Sequence, residues 1–169
     1  MLYIFVEGYY DKLFLNTLFF HGNPIFIEYS QEKVEKTNNF IKSIKCTPTI
    51  DYLFFGDADG KTIDDAAHCL LEKYKELEQS KLYIVQYEIE SWYYAGICER
   101  DCLKLKMSSF AYNTDTITKE SLIAKLADKT NRQYTLVKML DYYSISLAEG
   151  RNTSFRFFSE HMKEPVAAV

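Results

Sequence analysis

The sequence is poor in the residues that build metal clips, linkers and membrane spans. Of its four cysteines (Cys46, Cys69, Cys98 and Cys102) no two form a C-x-x-C pair, and the three histidines, His21, His68 and His161, are scattered. That argues against a zinc site and for reduced thiols, as in a cytoplasmic protein. Only three prolines and six glycines occur, and there is no Pro/Gly/Ser-rich linker, internal repeat or low-complexity tract. No apolar run reaches the roughly 18 to 20 residues that span a bilayer, so no membrane partner is expected. The opening MLYIFVEG lacks a basic n-region and a small-residue cleavage site, and it reads as a first strand rather than a secretion signal. No G-x-x-x-x-G-K-[ST] phosphate loop is present, so any ATPase activity would have to come from a separate chain.

Aromatic residues are abundant, with 14 Tyr and 12 Phe, which predicts a ring-rich core. A chain of 169 residues is long enough to bury one. The net charge of −4 hides an uneven distribution: residues 1–99 carry 9 basic and 16 acidic side chains, whereas residues 100–138 carry 8 and 4. An acidic cluster followed by a basic segment suits a metal-dependent enzyme acting on a polyanion, although solvated helix faces produce the same asymmetry.

Along the first half, short apolar runs alternate with helical spacings. LYIFVEG (2–8), PIFIEYS (24–30), DYLFFGD (51–57) and KLYIVQYE (81–88) read as strands. Residues 10–20, 31–45, 60–80 and a segment from Ser91 read as helices, the first stopping at His21-Gly22-Asn23-Pro24. Strands separated by helices predict an α/β fold, a Rossmann-like parallel sheet with helices on both faces. From about residue 100 onward the chain looks mostly helical. The expected division is a core over 1–100 and a helical C-terminal extension over 101–169.

The acids fall where such a sheet binds ligands, at the carboxyl ends of its strands. Glu7 ends the first strand, with Asp11 one helical turn on. Asp57 and Asp59 end the third; Glu88 and Glu90 follow the fourth. Carboxylates gathered on one rim repel unless cations occupy it, and Mg²⁺ or Mn²⁺ is the natural occupant of an all-oxygen set. Taken singly, each has a plainer reading. Asp57-Ala58-Asp59-Gly60 serves as a turn with Asp59 capping the next helix, Asp11 suits a helix N-terminus, and Glu88 and Glu90 suit a solvated loop.

VEGYYD at 6–11 and GDADG at 56–60 together resemble the Toprim domain, which pairs a Glu-Gly after strand one with a later D-x-D. Asp11 and the YEIESW segment, through Glu88 and Glu90, are similar to the OLD-type (overcoming lysogenization defect) branch of nucleases. The pairing of that segment with a late NTSFRFF (152–158) is similar to small stand-alone Toprim-related proteins. The resemblance covers roughly residues 1–100 and implies metal-assisted hydrolysis of phosphodiester bonds in DNA or RNA. It implies Asp57 and Asp59 as ligands of one ion, Glu7 as a shared ligand or general acid/base, and Asp11, Glu88 and Glu90 as candidates for a second ion. A cation must offset charge on the phosphoryl group, for which Arg156, Arg151 and Lys61 are the candidates. The resemblance further implies a separate ATPase subunit acting with this chain in phage defence, and it leaves a homo-oligomer open.

Two other uses of the same fold stay open: a small RNA-maturation nuclease or primase-like transferase, and a non-catalytic module that binds nucleic acid or an ATPase. A phosphoacceptor receiver domain fits Glu-Gly and D-x-D less well. Trp92, Tyr93 and Tyr94 are expected in the core rather than against bases, and Cys98 and Cys102 in packing rather than redox chemistry.

Overall fold

A computed structural model describes residues 1–20, 24–108, 111–127 and 132–163; the helix stop at His21-Gly22-Asn23 lies outside them. The chain forms two compact units, Met1–Val85 and Gln86–Val169. Residues 86–100, which the sequence assigns to the core, belong to the second. Among the described residues no helix is long and apolar enough to cross a membrane.

The first unit runs β1 (Leu2–Val6), α1 (Tyr9–Leu18), β2 (Ile25–Glu28), α2 (Val34–Lys45), β3 (Asp51–Asp57), α3 (Ile63–Lys73) and β4 (Leu82–Val85). All strand pairs are parallel, in the order β2-β1-β3-β4, so the protein is an α/β fold of the Rossmann-like kind, flanked by helices. Right-handed crossovers put α1 on one face and α2 and α3 on the other. On the α2 side the expected ring-rich core is present: Phe5, Tyr29, Tyr52, Phe54 and Tyr74 pack with Ile41 and Ile44 of α2. Phe54 stacks between Phe5, at 5.6 Å, and Tyr29, at 4.5 Å. Each buried ring contributes about 1.5–3 kcal/mol through lost water contact.

Helix α3 begins later than the sequence predicts. Its cap is Thr62, whose Oγ1 accepts the Asp65 N–H at 3.1 Å. This removes the plainer reading of Asp59 as the cap. The helix also ends early, at Lys73, where Asn38 of α2 accepts the Glu76 N–H at 3.1 Å and Tyr74 turns into the core.

The second unit is helical among its described residues: α4 (Glu90–Ala95), α5 (Glu99–Lys104), α6 (Lys119–Lys125), α7 (Arg132–Asp141), α8 (Ile145–Arg151) and α9 (Thr153–Lys163). Every residue of α4 is buried, so it is the central helix. Trp92, Tyr93 and Tyr94 are core, as expected. The Trp92 ring stacks on Phe158, with centroids 5.3 Å apart, and its Nε1–H donates to Ser154 Oγ at 2.8 Å. Ser154 Oγ also accepts the Gln86 N–H and donates to Asn152 Oδ1. The ESW and NTSF segments therefore meet through a hydroxyl whose one donor and two acceptor positions are all used. Buried Cys102 packs, and the Cys98 thiol donates to Asp101.

Candidate functional site

In a parallel sheet, side chains two residues apart share a face. Glu7 therefore continues the Phe5 face of β1, toward α2 and α3. Continuing the register in which Phe5 opposes Phe54 puts Glu7 beside Gly56, about 5 Å across the sheet. Asp57 is the last residue of β3 and opposes Val85. Ala58 still donates its N–H to Val85 at 2.9 Å, and Lys61 N–H returns to Ala58 C=O at 2.9 Å. Between them Asp59 and Gly60 both have positive φ, 50° and 79°. That is the dihedral signature of a type I′ turn, for which Asp-Gly is a preferred pair. Asp57 and Asp59, either side of Ala58, both line one cavity. Gly60→Ala is expected to cost about 1–2 kcal/mol, since an L side chain at this φ crowds its own backbone; a urea melt measures it.

Glu7, Asp57 and Asp59 line one open cavity of about 290 Å³, together with Tyr29, Ser30, Lys61 and the 66-69-70-73 face of α3. The Ser30 hydroxyl donates to the Glu7 carbonyl and ties the end of β1 to the turn after β2. Tyr29 is buried against Phe54. Burial pushes its phenol far above the ordinary range, and the negative charges of Glu7, Asp57 and Asp11 push it further. The hydroxyl thus stays protonated, a neutral O–H set among three carboxylates. Gly56 makes room for Leu70 beside it: a Cβ there would lie 2.3 Å from a Leu70 methyl carbon, and only in ordinary contact, at 3.5 Å, with the phenol oxygen.

The other predicted site residues are placed differently. Asp11 is buried in the first turn of α1, where its Oδ2 accepts the Gly8 N–H at 3.1 Å, a helix-capping use of the carboxylate. Glu88 and Glu90 belong to the second unit because β4 stops at Val85. Glu88 accepts the Lys119 N–H at 2.6 Å, at the start of α6, where a carboxylate also meets the positive end of the helix dipole. Glu90 is buried at the start of α4. Of the candidate cations, Lys61 lines the cavity. Arg156 is exposed on α9 of the second unit. Arg151 is buried there, with its guanidinium committed to backbone carbonyls.

Three carboxylates with the Tyr29 and Ser30 hydroxyls make a mainly oxygen donor set, beside one thiol, Cys69, and such a set suits a hard cation. Among the described residues no three of the Asp, Glu, His and Cys side chains form a ready-made metal cage. Mg²⁺ does not require one, since it keeps several waters and is held through one or two carboxylates and substrate phosphates. Glu7 and Asp57 fit such a largely hydrated ion, with Asp59 on the rim. A second ion held by Asp11, Glu88 and Glu90 is a poorer fit, because Asp11 and Glu88 are engaged in helix-end hydrogen bonds.

Compared with protein-family models, with curated proteins and with solved structures, the chain matches none.

Three polar cavity residues, Tyr29, Ser30 and Lys73, were not singled out in the sequence. Tyr29 and Ser30 sit inside the run read as a strand over 24–30, whereas β2 ends at Glu28 and releases them onto the rim. Lys73 reaches the cavity because it lies seven residues after Ala66, two turns along one helix face. The only signal for Tyr29 and Ser30 was their place just after a strand, at the same rim as Glu7.

Proposed function

We propose that the protein is a metal-dependent phosphodiesterase that hydrolyses nucleic acid at the Glu7–Asp57–Asp59 cavity. One observation carries the proposal: three acids from two adjacent parallel strands line one cavity at the carboxyl end of the sheet, with Lys61 on its wall. The Toprim resemblance of Glu7-Gly8 and Asp57-Ala58-Asp59 supports it. A bound Mg²⁺ or Mn²⁺ supplies Lewis acidity, polarising the phosphoryl group and making water a competent nucleophile at neutral pH.

The chain's own residues do the rest. Asp57 and Glu7 hold the cation, and Asp59, on a turn fixed by Gly60, closes the rim. Lys61 offsets negative charge that develops on the phosphoryl oxygens. Tyr29 keeps its proton and limits repulsion among the carboxylates. Glu7, at the edge of this set, doubles as the proton-handling group.

The test is cleavage of supercoiled plasmid, single-stranded DNA and RNA with Mg²⁺ or Mn²⁺. Cleavage that needs the ion and falls about tenfold or more in Lys61→Ala supports the proposal; metal-independent cleavage, or none on any substrate, opposes it. A second reading, a non-catalytic module for nucleic acid or an ATPase, is favoured by the lack of a three-donor cluster among the described residues. It predicts binding without cleavage. The partnership with a separate ATPase chain in phage defence rests on the resemblance alone and belongs to the same proposal.

A further inference from the structure

The second unit holds a cavity of about 460 Å³, lined by Lys104, Lys106 and Lys138, by Tyr134 and Tyr142, and by apolar Leu105 and Leu126. Its floor is a short antiparallel pairing of residues 106–108 with 125–127. Ser108 N–H donates to Lys125 C=O at 2.8 Å, Ala127 N–H donates to Lys106 C=O at 3.1 Å, and Met107 bridges Leu126. Lys106 turns the chain into this pairing through a left-handed φ of 55°, a conformation that disfavours a side chain and recurs at ligand clamps. Helix α7 adds Tyr134 and Lys138 one turn apart, and Tyr142 follows its end.

Charge and rings are interleaved. The Lys104 ammonium lies 4.9 Å from the Tyr142 ring centre and Lys138 lies 5.8 Å from that of Tyr134. Among the described residues no carboxylate lines the cavity. Asp101 and Asp141 pair with Lys104 at 2.7 Å and Lys138 at 3.0 Å from outside it. The exposed Lys138–Asp141 pair contributes no more than about 1 kcal/mol, Asp101 of the other pair is buried, and each ammonium keeps further N–H donors for a phosphate. Both tyrosines are exposed, 57% and 38%, in a unit that buries Trp92, Tyr93 and Tyr94 completely.

Three ammonium groups suit phosphates, and two exposed tyrosine rings suit bases, on which stacking contributes about 1–3 kcal/mol each. Ring stacking and ammonium–phosphate contacts carry no sequence information, so the site is tolerant of sequence. A duplex hides its base faces within the stack and offers the lysines alone. We propose that this cavity binds single-stranded nucleic acid, its phosphates on Lys104, Lys106 and Lys138 and its bases on Tyr134 and Tyr142. The proposal rests on the second unit alone and shares with the proposed phosphodiesterase only the class of ligand.

The experiment is fluorescence anisotropy of a labelled oligothymidylate in EDTA, where no metal-dependent cleavage proceeds. Wild type is expected to bind it more tightly than a duplex of equal length, and heparin, a polyanion without bases, is expected to compete poorly. Tyr134→Ala with Tyr142→Ala weakens binding roughly five- to a hundredfold, whereas the two Phe replacements keep it. The exposed Lys106→Glu weakens binding and flattens its salt dependence, a check that survives even if the double Ala variant unfolds. No binding by wild type, equal affinity for duplex and heparin, or binding unmoved by the Ala and Glu changes would overturn the proposal. Binding without Mg²⁺-dependent cleavage would overturn the phosphodiesterase instead.

Discussion

Asp57→Asn is expected to lower metal-dependent cleavage by about 10²- to 10³-fold or more, the scale seen when one preorganised electrostatic group is removed from a site. Asparagine has nearly the same volume, so packing at the end of β3 is kept. What is lost is the negative charge that holds a hydrated cation and competes with water for it. Glu7 and Asp57 line the same cavity, and both raise the electrostatic cost of ionising Tyr29, so like charges are gathered there. Neutralising one of them relieves repulsion. The melting temperature without metal should therefore stay level or rise, while the stabilisation given by added Mg²⁺ shrinks. Glu7→Gln should behave alike. Activity lost with the fold kept is the signature to look for; activity retained in either variant contradicts a role in holding the ion.

Arg151→Ala carries the largest expected loss of stability, although the residue type alone suggests a catalytic cation. The residue is 6% exposed, and its guanidinium donates to the carbonyls of Tyr94 at 3.3 Å, Ala95 at 2.7 Å and Ile97 at 2.7 Å, and also to Ala111. Helix α4 ends at Ala95, so these include the carbonyls that a helix leaves without partners at its C-terminus. The cation also complements the negative end of the α4 dipole. Burial pulls the guanidinium pKa down, though nearby Tyr94, Cys102 and Tyr143 oppose that.

Removing it leaves several buried acceptors to find water, at about 1–3 kcal/mol each, so a loss above about 3 kcal/mol is expected. Lysine should not rescue the fold, because a single ammonium cannot reproduce the planar fork. Trp92 is the only tryptophan and lies in the same unit, stacked on Phe158. Its fluorescence during urea unfolding reads this unit directly. A large drop in midpoint is predicted for both Ala and Lys. An unchanged midpoint with lost cleavage would return Arg151 to the catalytic set.

The sheet was legible in the sequence because its central strands are short, apolar and bounded by breakers: β1 and β3 lie where the runs 2–8 and 51–57 predict. The acids at the ends of those two strands were legible for the same reason. The failures share a cause, contacts made far along the chain. The run 81–88 reads as one strand, yet β4 ends at Val85. Gln86 gives its N–H to Ser154, 68 residues away, and Tyr87 adopts a left-handed φ of 63°. Glu88 and Glu90 consequently lie in the second unit, beyond the end of β4.

The end of α3 was hidden in the same way. Asn38 intercepts the chain after Lys73, and nothing in the helical periodicity of 60–80 announces it. Charge type was the least informative signal. Lys61, Arg151 and Arg156 are alike as sequence letters, yet one lines the acidic cavity, one ties down carbonyls and one is exposed on α9.

The most direct test is Mn²⁺ binding followed by the electron paramagnetic resonance signal of the free ion, for wild type and Asp57→Asn side by side. Wild type should take up Mn²⁺ in competition with Mg²⁺, and Asp57→Asn should lose that uptake while its circular dichroism is unchanged. Equal uptake by the two proteins would contradict a cation held between Glu7 and Asp57.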